Sequence, residues 1–261
     1  MEIDIEKKMT RIKKNVNDVT KRTLKQNVLN VLDVLLKYVK RGVCAFLVSS
    51  VVLTLIYRFV PVYFTPLMGI RYFENWGDES APKVQKRWVP IEKISPHAIQ
   101  AVVASEDNKF MRHWGFDFEA IENARKMNKA GKKIYGASTI SQQTAKNVFL
   151  WPSRSWVRKG FECYFTLLIE LLWSKERIME VYLNVAEMGN NIYGIEAAAQ
   201  HYYKVPAQQL GASQSAMIAA CLPAPRKYNP ANPTSYLVKR QGKILRLMRL
   251  IGDIRMNYEK K

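Results

Sequence analysis

The sequence predicts a mainly α-helical globular domain preceded by one transmembrane helix, and three observations lead to this fold class. Residues 42–57 are sixteen consecutive residues without a charge. From His97 almost to the end, apolar residues recur at steps of three and four, the period of a helix that buries one face. Glycines divide this pattern into segments of ordinary helix length, and no alternating strand pattern or Asn-Gly turn stands out.

Composition restricts the class of partner. A chain of 261 residues is long enough for one substantial domain with an appendage. Its 41 basic and 22 acidic residues give a formal charge of +19. The expected partners are therefore anionic: nucleic acid, an anionic bilayer surface or a phosphorylated substrate.

The first 64 residues are predicted to form a cytoplasmic basic arm (1–41) and a transmembrane anchor (42–64). About twenty apolar residues are enough for a tilted helix that spans a bilayer. A cleaved signal peptide is disfavoured, because no small-x-small cleavage site follows the apolar run. Residues 22–41 carry five basic side chains and residues 58–77 carry two. This bias predicts a cytoplasmic amino terminus, with the rest of the chain on the other side of the membrane.

Three further segments follow the anchor. Residues 65–96 are rich in proline and aromatic residues, which predicts a linker or small subdomain close to the bilayer and in contact with its lipids. The helical pattern of residues 97–252 predicts the catalytic domain, and residues 253–261 form a tail. Cys163 and Cys221 both lie in apolar helical patterns, where cysteine is usually a small buried residue, so a disulfide between them is not expected.

An acidic pair, Glu106 and Asp107, follows the apolar run 99–104, so both carboxylates lie where a buried helix ends. A carboxylate in such a place can act as a general base. The alternative is a solvated helix end or a cap.

Two clusters follow the acidic pair. Residues 136–147 (GASTISQQTAKN) collect hydroxyl and amide side chains ahead of Lys146, which suits the binding of sugar hydroxyls and phosphate oxygens. The alternative is an ordinary polar loop and helix start. Further on, Arg158 and Glu162 are four residues apart and share a helix face, with Arg154 and Lys159 nearby. A surface ion pair is the alternative to a site that binds pyrophosphate or a metal ion.

Together these clusters resemble the peptidoglycan glycosyltransferases, the lysozyme-like glycosyltransferase family 51. The signatures are ED-x-x-F-x-x-H-x-G at residues 106–115, G-x-ST-I-x-QQ-x-x-KN at 136–147, RK-x-x-E at 158–162 and K-x-x-I-x-x-x-Y-x-N at 175–184. Four ordered motifs make the resemblance specific, and it covers roughly residues 60–250. It implies a lysozyme-like helical globule with a small membrane-proximal subdomain.

The resemblance also implies roles for individual residues. Glu106 would be the general base that removes the proton from the acceptor's 4-hydroxyl. Glu162 would assist the departure of undecaprenyl pyrophosphate, directly or through a divalent cation (Mg²⁺ or Mn²⁺), with no cofactor obligatory. Lys175, Tyr182 and Asn184 would support the structure. The candidate substrate-binding residues are Asp107, Ser138, Gln142, Gln143, Lys146, Arg154, Arg158 and Lys159.

The implied activity is the polymerisation of lipid II into β-1,4 glycan strands by inversion. The chemistry is consistent with two carboxylates in separate roles. The expected partners are lipid II, the growing glycan chain, membrane lipids and proteins of cell-wall synthesis or division, with no nucleic acid. The expected location is the inner (cytoplasmic) membrane, with a periplasmic catalytic domain. About seventy residues follow Gly189, too few for a transpeptidase domain, so the enzyme is expected to be monofunctional.

Two other functions are compatible with parts of the sequence. A lysozyme or lytic transglycosylase would cleave glycan with one catalytic Glu, but it leaves the basic residues Lys146, Arg154, Arg158 and Lys159 unexplained. A nonenzymatic scaffold for cell-wall assembly would have no need of the motif carboxylates.

Overall fold

The computed structural model describes residues 2–78, 81–129, 131, 136–153 and 155–254, with the backbone alone for residues 2–8, 10–24, 27 and 28. Two compact units make up the chain, Met1–Leu53 and Thr54–Lys261. The structure confirms the predicted fold class, because the described residues are mostly helical.

The first unit is helical and belongs to α1 (Glu2–Phe59). Within this helix, the segment Leu29–Phe59 is long and apolar enough to cross a membrane. At a rise of about 1.5 Å per residue it measures about 46 Å, more than the roughly 30 Å of a hydrocarbon core. Most of its described apolar side chains are exposed, among them Leu35, Val43 and Val48, as a lipid-facing helix requires.

The second unit contains the remaining elements, and the chain enters it through the last turns of α1. The Arg177 guanidinium donates to the Tyr57 and Val60 carbonyls, which anchors this entry. The helices are α2 (Pro66–Glu74), α3 (Pro96–Glu106), α4 (Phe118–Lys129), α5 (Ile140–Phe149), α6 (Trp156–Leu172), α7 (Lys175–Val185), α8 (Ile195–Tyr203), α9 (Ala212–Cys221) and α10 (Ser235–Ile251). Three short 3₁₀ helices lie at Ile91–Lys93, Phe110–Arg112 and Ala207–Gln209.

A small sheet joins distant parts of this unit. Its strands are β1 (Gln85–Lys86), β2 (Glu187–Gly189) and β3 (Ile192–Tyr193), in the order β1-β3-β2. β1 pairs with β3 in parallel and β2 pairs with β3 in antiparallel. Strands of two or three residues are too short to show an alternating pattern, which is why the sequence did not reveal them.

The core forms around helices that are buried on more than one face. α7 buries Ile178, Met179, Tyr182 and Leu183 almost completely and packs against α5. α3 and α9 pack closely because their facing residues are small, for example Ala101 and Ala219. In contrast, α4 buries no side chain among the described residues, and its apolar residues Phe118, Ile121 and Met127 are exposed.

The longest predicted helical segment, residues 156–188, is divided into α6 and α7. Trp173 is extended, and the Ser174 hydroxyl accepts a hydrogen bond from the Arg177 N–H at 3.2 Å. This side-chain cap starts a new helix, a boundary that the apolar periodicity does not show.

Candidate active site

Glu106 is the last residue of α3, and Asp107 is its C-cap. The helix starts at a Ser95 cap followed by Pro96, and its apolar residues from Ala98 to Ala104 anchor it in the core. Glu106 therefore lies at the end of a rigid, buried element, yet its side chain remains 13% exposed. A substrate atom can reach this carboxylate.

Three groups hold the Glu106 carboxylate. The Ser105 hydroxyl lies 2.9 Å from Oε1, and the Gln143 amide donates to Oε2 at 3.0 Å. The Arg240 guanidinium lies 3.8 Å from Oε1 and also donates to the Ser105 hydroxyl at 3.2 Å. Sequence reasoning missed Arg240, because one arginine in a helix with many basic residues carries no distinguishing spacing.

Asp107 connects α3 to the start of α5. Its carboxylate accepts from the His113 ring at 2.9 and 3.1 Å and from the Ile140 N–H at 3.0 Å. The side chain is only 3% exposed, so these bonds are made in a dry environment. Asp107 thus positions its neighbours, and it also lines a cavity beside Glu106.

Gly115 completes this connection. Its φ of +76° is a left-handed conformation, and an added Cβ would lie 2.7 Å from the Thr166 methyl. The Gly115 carbonyl accepts from the Thr139 hydroxyl at 2.6 Å.

The polar run at residues 136–147 forms the N-cap and body of α5. Thr139 and Gln142 form a capping box: the Thr139 hydroxyl accepts from the Gln142 N–H, and the Gln142 amide oxygen accepts from the Thr139 N–H. Gln142 is thereby buried and engaged by the backbone. Gln143, one residue on, faces Glu106 and also accepts from the Tyr182 hydroxyl at 3.4 Å.

The cationic cluster lies on α6, at the end opened by the Ser155 cap. Glu162 is buried, with a side chain 4% exposed, and it pairs with Arg158 at 3.1 Å and with Lys159. The predicted surface alternative does not fit a carboxylate this deeply buried. Arg154 lies outside the described residues.

Lys146 of α5 interacts electrostatically with Glu162, Arg158 and Lys159 of this cluster. Burial lowers the pKa of Lys146, the negative charge of Glu162 opposes this shift, and the charges of Arg158 and Lys159 add to it. The site therefore brings three cations together around one buried carboxylate.

The residues around Glu162 do not form a ready metal site. Both of its oxygens are engaged by cations. Across the described part of the chain, no three His, Cys, Asp or Glu side chains are grouped to hold a metal ion.

Two cavities border the acidic pair and the cationic cluster. The larger, of about 590 Å³, is lined by Gln143, Lys146 and Arg158 and extends along α7 past Tyr182. The smaller, of about 210 Å³, is lined by Glu106, Asp107 and Ser138. Gln143 connects the two, since it lines the larger cavity and donates to Glu106. A carboxylate thus lies beside a cation-lined cavity, an arrangement suited to deprotonating one group while an anion leaves from another.

The remaining motif residues support this arrangement. Lys175 pairs at 2.7 Å with buried Glu170, which accepts from the Ser141 hydroxyl at the start of α5. The Asn184 side-chain amide accepts a hydrogen bond from the Val89 N–H and donates one to the Val89 carbonyl. These contacts fix α5 and α7 in the core.

Comparison with known proteins places these residues in a family context. The Transglycosylase family profile matches residues 75–249. The chain is 55% identical over 217 residues to the biosynthetic peptidoglycan transglycosylase of Bacteroides thetaiotaomicron, covering 83% of this chain and 88% of the relative. The protein of the same name from Bdellovibrio bacteriovorus is 55% identical over 210 residues, which cover 80% of this chain and 84% of the relative. The protein of the same name from Pseudomonas syringae pv. syringae is 46% identical over 221 residues, which cover 85% of this chain and 94% of the relative.

Proposed function

The chain belongs to the transglycosylase family and is a peptidoglycan transglycosylase, and we propose that it polymerises lipid II into β-1,4 glycan strands with release of undecaprenyl pyrophosphate. One observation carries the proposal: Gln143 hydrogen-bonds the carboxylate of Glu106 and also lines the cavity that contains Lys146 and Arg158. The base and the cations are therefore adjacent parts of one site.

In this reaction Glu106 acts on the acceptor. It takes the proton from the acceptor's 4-hydroxyl as that oxygen bonds to the anomeric carbon of the donor. The bond from this carbon to the pyrophosphate oxygen breaks on the opposite face, so an α-linked donor becomes a β-linked product. The hydrogen bonds from Ser105 and Gln143 fix the carboxylate for this proton transfer.

The cationic cluster acts on the leaving group. A departing pyrophosphate needs its negative charge neutralised more than it needs a proton. Lys146, Arg158 and Lys159 supply positive charge, and Glu162 holds the latter two in place. A divalent cation such as Mg²⁺ or Mn²⁺ would have to displace one of them from Glu162. We therefore assign the neutralisation to the side chains and regard no cofactor as obligatory.

The apolar helix gives the protein a membrane anchor, in keeping with a lipid-linked substrate. We assign its amino terminus to the cytoplasm and the Thr54–Lys261 unit to the periplasmic face of the inner membrane. The excess of basic residues before the apolar segment supports this orientation.

Purified protein incubated with labelled lipid II tests the proposal. Wild type should form polymer, and Glu106→Gln should lose about two to four orders of magnitude in kcat, the usual effect of removing a general base. Glu122→Gln, a charge change on exposed α4, is the matched control and should keep full activity.

Other results would overturn the proposal. Shortening of preformed glycan without any polymer would identify a glycan-cleaving enzyme. Full polymerisation by Glu106→Gln would remove Glu106 from its role as the base. No reaction with either substrate would favour a scaffold.

A further inference from the structure

The larger cavity contains a second polar group besides the cations around Glu162. Arg71 of α2 and Glu187 at the start of β2 both line this cavity. We call this polar group the Arg71–Glu187 corner. Neither the sequence motifs nor the assignment of Glu106 and Glu162 explains it.

The corner holds polar atoms that the rest of the described chain leaves without partners. The Glu187 Oε1, the Arg71 Nε and the nearby Tyr193 hydroxyl are buried, and none of the three has a hydrogen-bond partner within the described residues. Arg71 makes its ion pair with Glu74 through Nη1. A buried polar atom without a partner is uncommon in a native protein and calls for an explanation.

Charge at the corner is close to balanced. Burial raises the pKa of Glu187, and the charge of Arg71, a hydrogen bond from the Asn191 backbone and the charge of Arg226 act in the opposite direction. Because two guanidinium groups already offset the carboxylates of Glu187 and Glu74, the corner has no surplus negative charge to attract a cation. A neutral hydrogen-bond donor is the better match for the Glu187 oxygen.

The position of Glu187 relative to the reacting groups is set by α7. Tyr182, Ala186 and Glu187 follow one another along the wall of the larger cavity. The Tyr182 hydroxyl donates to the Gln143 side chain, which in turn donates a hydrogen bond to Glu106. Glu187 therefore lines the same cavity as Tyr182 and Gln143.

The backbone at this point is held firmly. Glu187 pairs with Tyr193 across the β2–β3 hairpin. Gly189 packs so closely that an added Cβ would lie 2.8 Å from the Ile192 Cδ1 atom. The carboxylate is thus presented from a rigid support, as a residue that selects a ligand requires.

We propose that Glu187, supported by Arg71, is a substrate-binding residue that accepts a hydrogen bond from a hydroxyl or amide N–H of the saccharide in the larger cavity. This proposal rests on the proposed function, because it takes the ligand of this cavity to be the sugar portion of the lipid-linked substrate. Glu187 takes no part in the chemical step. Its contribution is to affinity and to the choice among sugars.

Kinetics on three variants of the full chain with lipid II test this role. Glu187→Met keeps the length of the side chain and removes the acceptor, so KM should rise about tenfold with kcat unchanged. Glu187→Gln retains an amide oxygen and should stay within about threefold of wild type. Glu122→Gln on exposed α4 should match wild type, and Glu187→Ala replaces the Met variant if that variant does not fold.

Lipid II analogues that each lack one hydroxyl or acetamido group provide the readout that a purely structural role would not move. One analogue should raise the KM of wild type about tenfold and leave the KM of Glu187→Met unchanged, because the two changes remove the same hydrogen bond. If wild type makes polymer and every analogue affects both proteins equally, the role of Glu187 is refuted while the proposed function stands. If wild type makes no polymer, the proposed function itself fails.

Discussion

Replacing Asp107 by Asn tests whether the carboxylate next to Glu106 organises the site through hydrogen bonds. Asp107 accepts from the His113 Nε2–H and from the Ile140 N–H, and the His113 Nδ1 is buried without a partner among the described residues. The side-chain oxygen of an asparagine can still accept a hydrogen bond from the Ile140 N–H. Its NH₂ group, which is a donor, then faces the His113 ring. The histidine must become an acceptor there and carry its proton on Nδ1, which leaves a buried donor unsatisfied.

The cost follows from these contacts. The His113 Nδ1 has no partner among the described residues in wild type either, so the main loss is one charge-assisted hydrogen bond, worth about 1.5–3 kcal/mol. We therefore expect Asp107→Asn to lower the free energy of unfolding by about 2 kcal/mol, and for a domain of this size the melting temperature should fall by about 4–8 °C. Circular dichroism melts and urea titrations in detergent measure both quantities. Because α3 and α5 would shift relative to each other, kcat should also fall, by about tenfold.

Two comparisons make this prediction sharp. Asp117→Asn changes a carboxylate that caps α4 through the Ala120 N–H, and it should cost no more than about 1 kcal/mol. In a His113→Phe background, the further cost of Asp107→Asn should fall to roughly half, because only the Ile140 bond remains. A stability change below about 0.5 kcal/mol for Asp107→Asn alone would refute the reasoning.

Three further predictions concern other parts of the fold. Burial lowers the pKa of Lys86 from 10.5 to about 8, so the folded chain binds this proton more weakly than the unfolded chain. Wild type should therefore gain about 1–2 kcal/mol of stability between pH 8 and 10.5, after allowance for solvent screening, and Lys86→Met should lack this gain in urea titrations. Because burial also lowers the pKa of Lys146, polymerisation by wild type should decline as rising pH removes that proton, whereas Lys146→Arg should stay active to higher pH; identical pH profiles would contradict this. Ser174→Ala removes the α7 cap and should cost about 1 kcal/mol of stability with KM unchanged, so a raised KM would show that the cap also acts on the site.

The sequence by itself determined the class of fold, and it predicted most of the residues that the structure brings together at the candidate site. The apolar segment before residue 60 and the helical period after His97 are local patterns, because a helix buries residues three and four positions apart. The four motifs carried the family resemblance, and the comparisons confirmed it. The roles of Glu106 and Glu162 remain predictions.

Contacts between distant segments were decided only by the tertiary structure. No spacing indicates that Arg240, on the last helix, lies 3.8 Å from Glu106, or that Gln142 caps α5 while Gln143 faces Glu106. The break between α6 and α7 depends on one serine hydroxyl, against an apolar pattern that continues across it. The Arg71–Glu187 corner brings together two residues more than a hundred positions apart. Side-chain hydrogen bonds and long-range packing depend on three-dimensional positions, and periodicity in one dimension does not contain them.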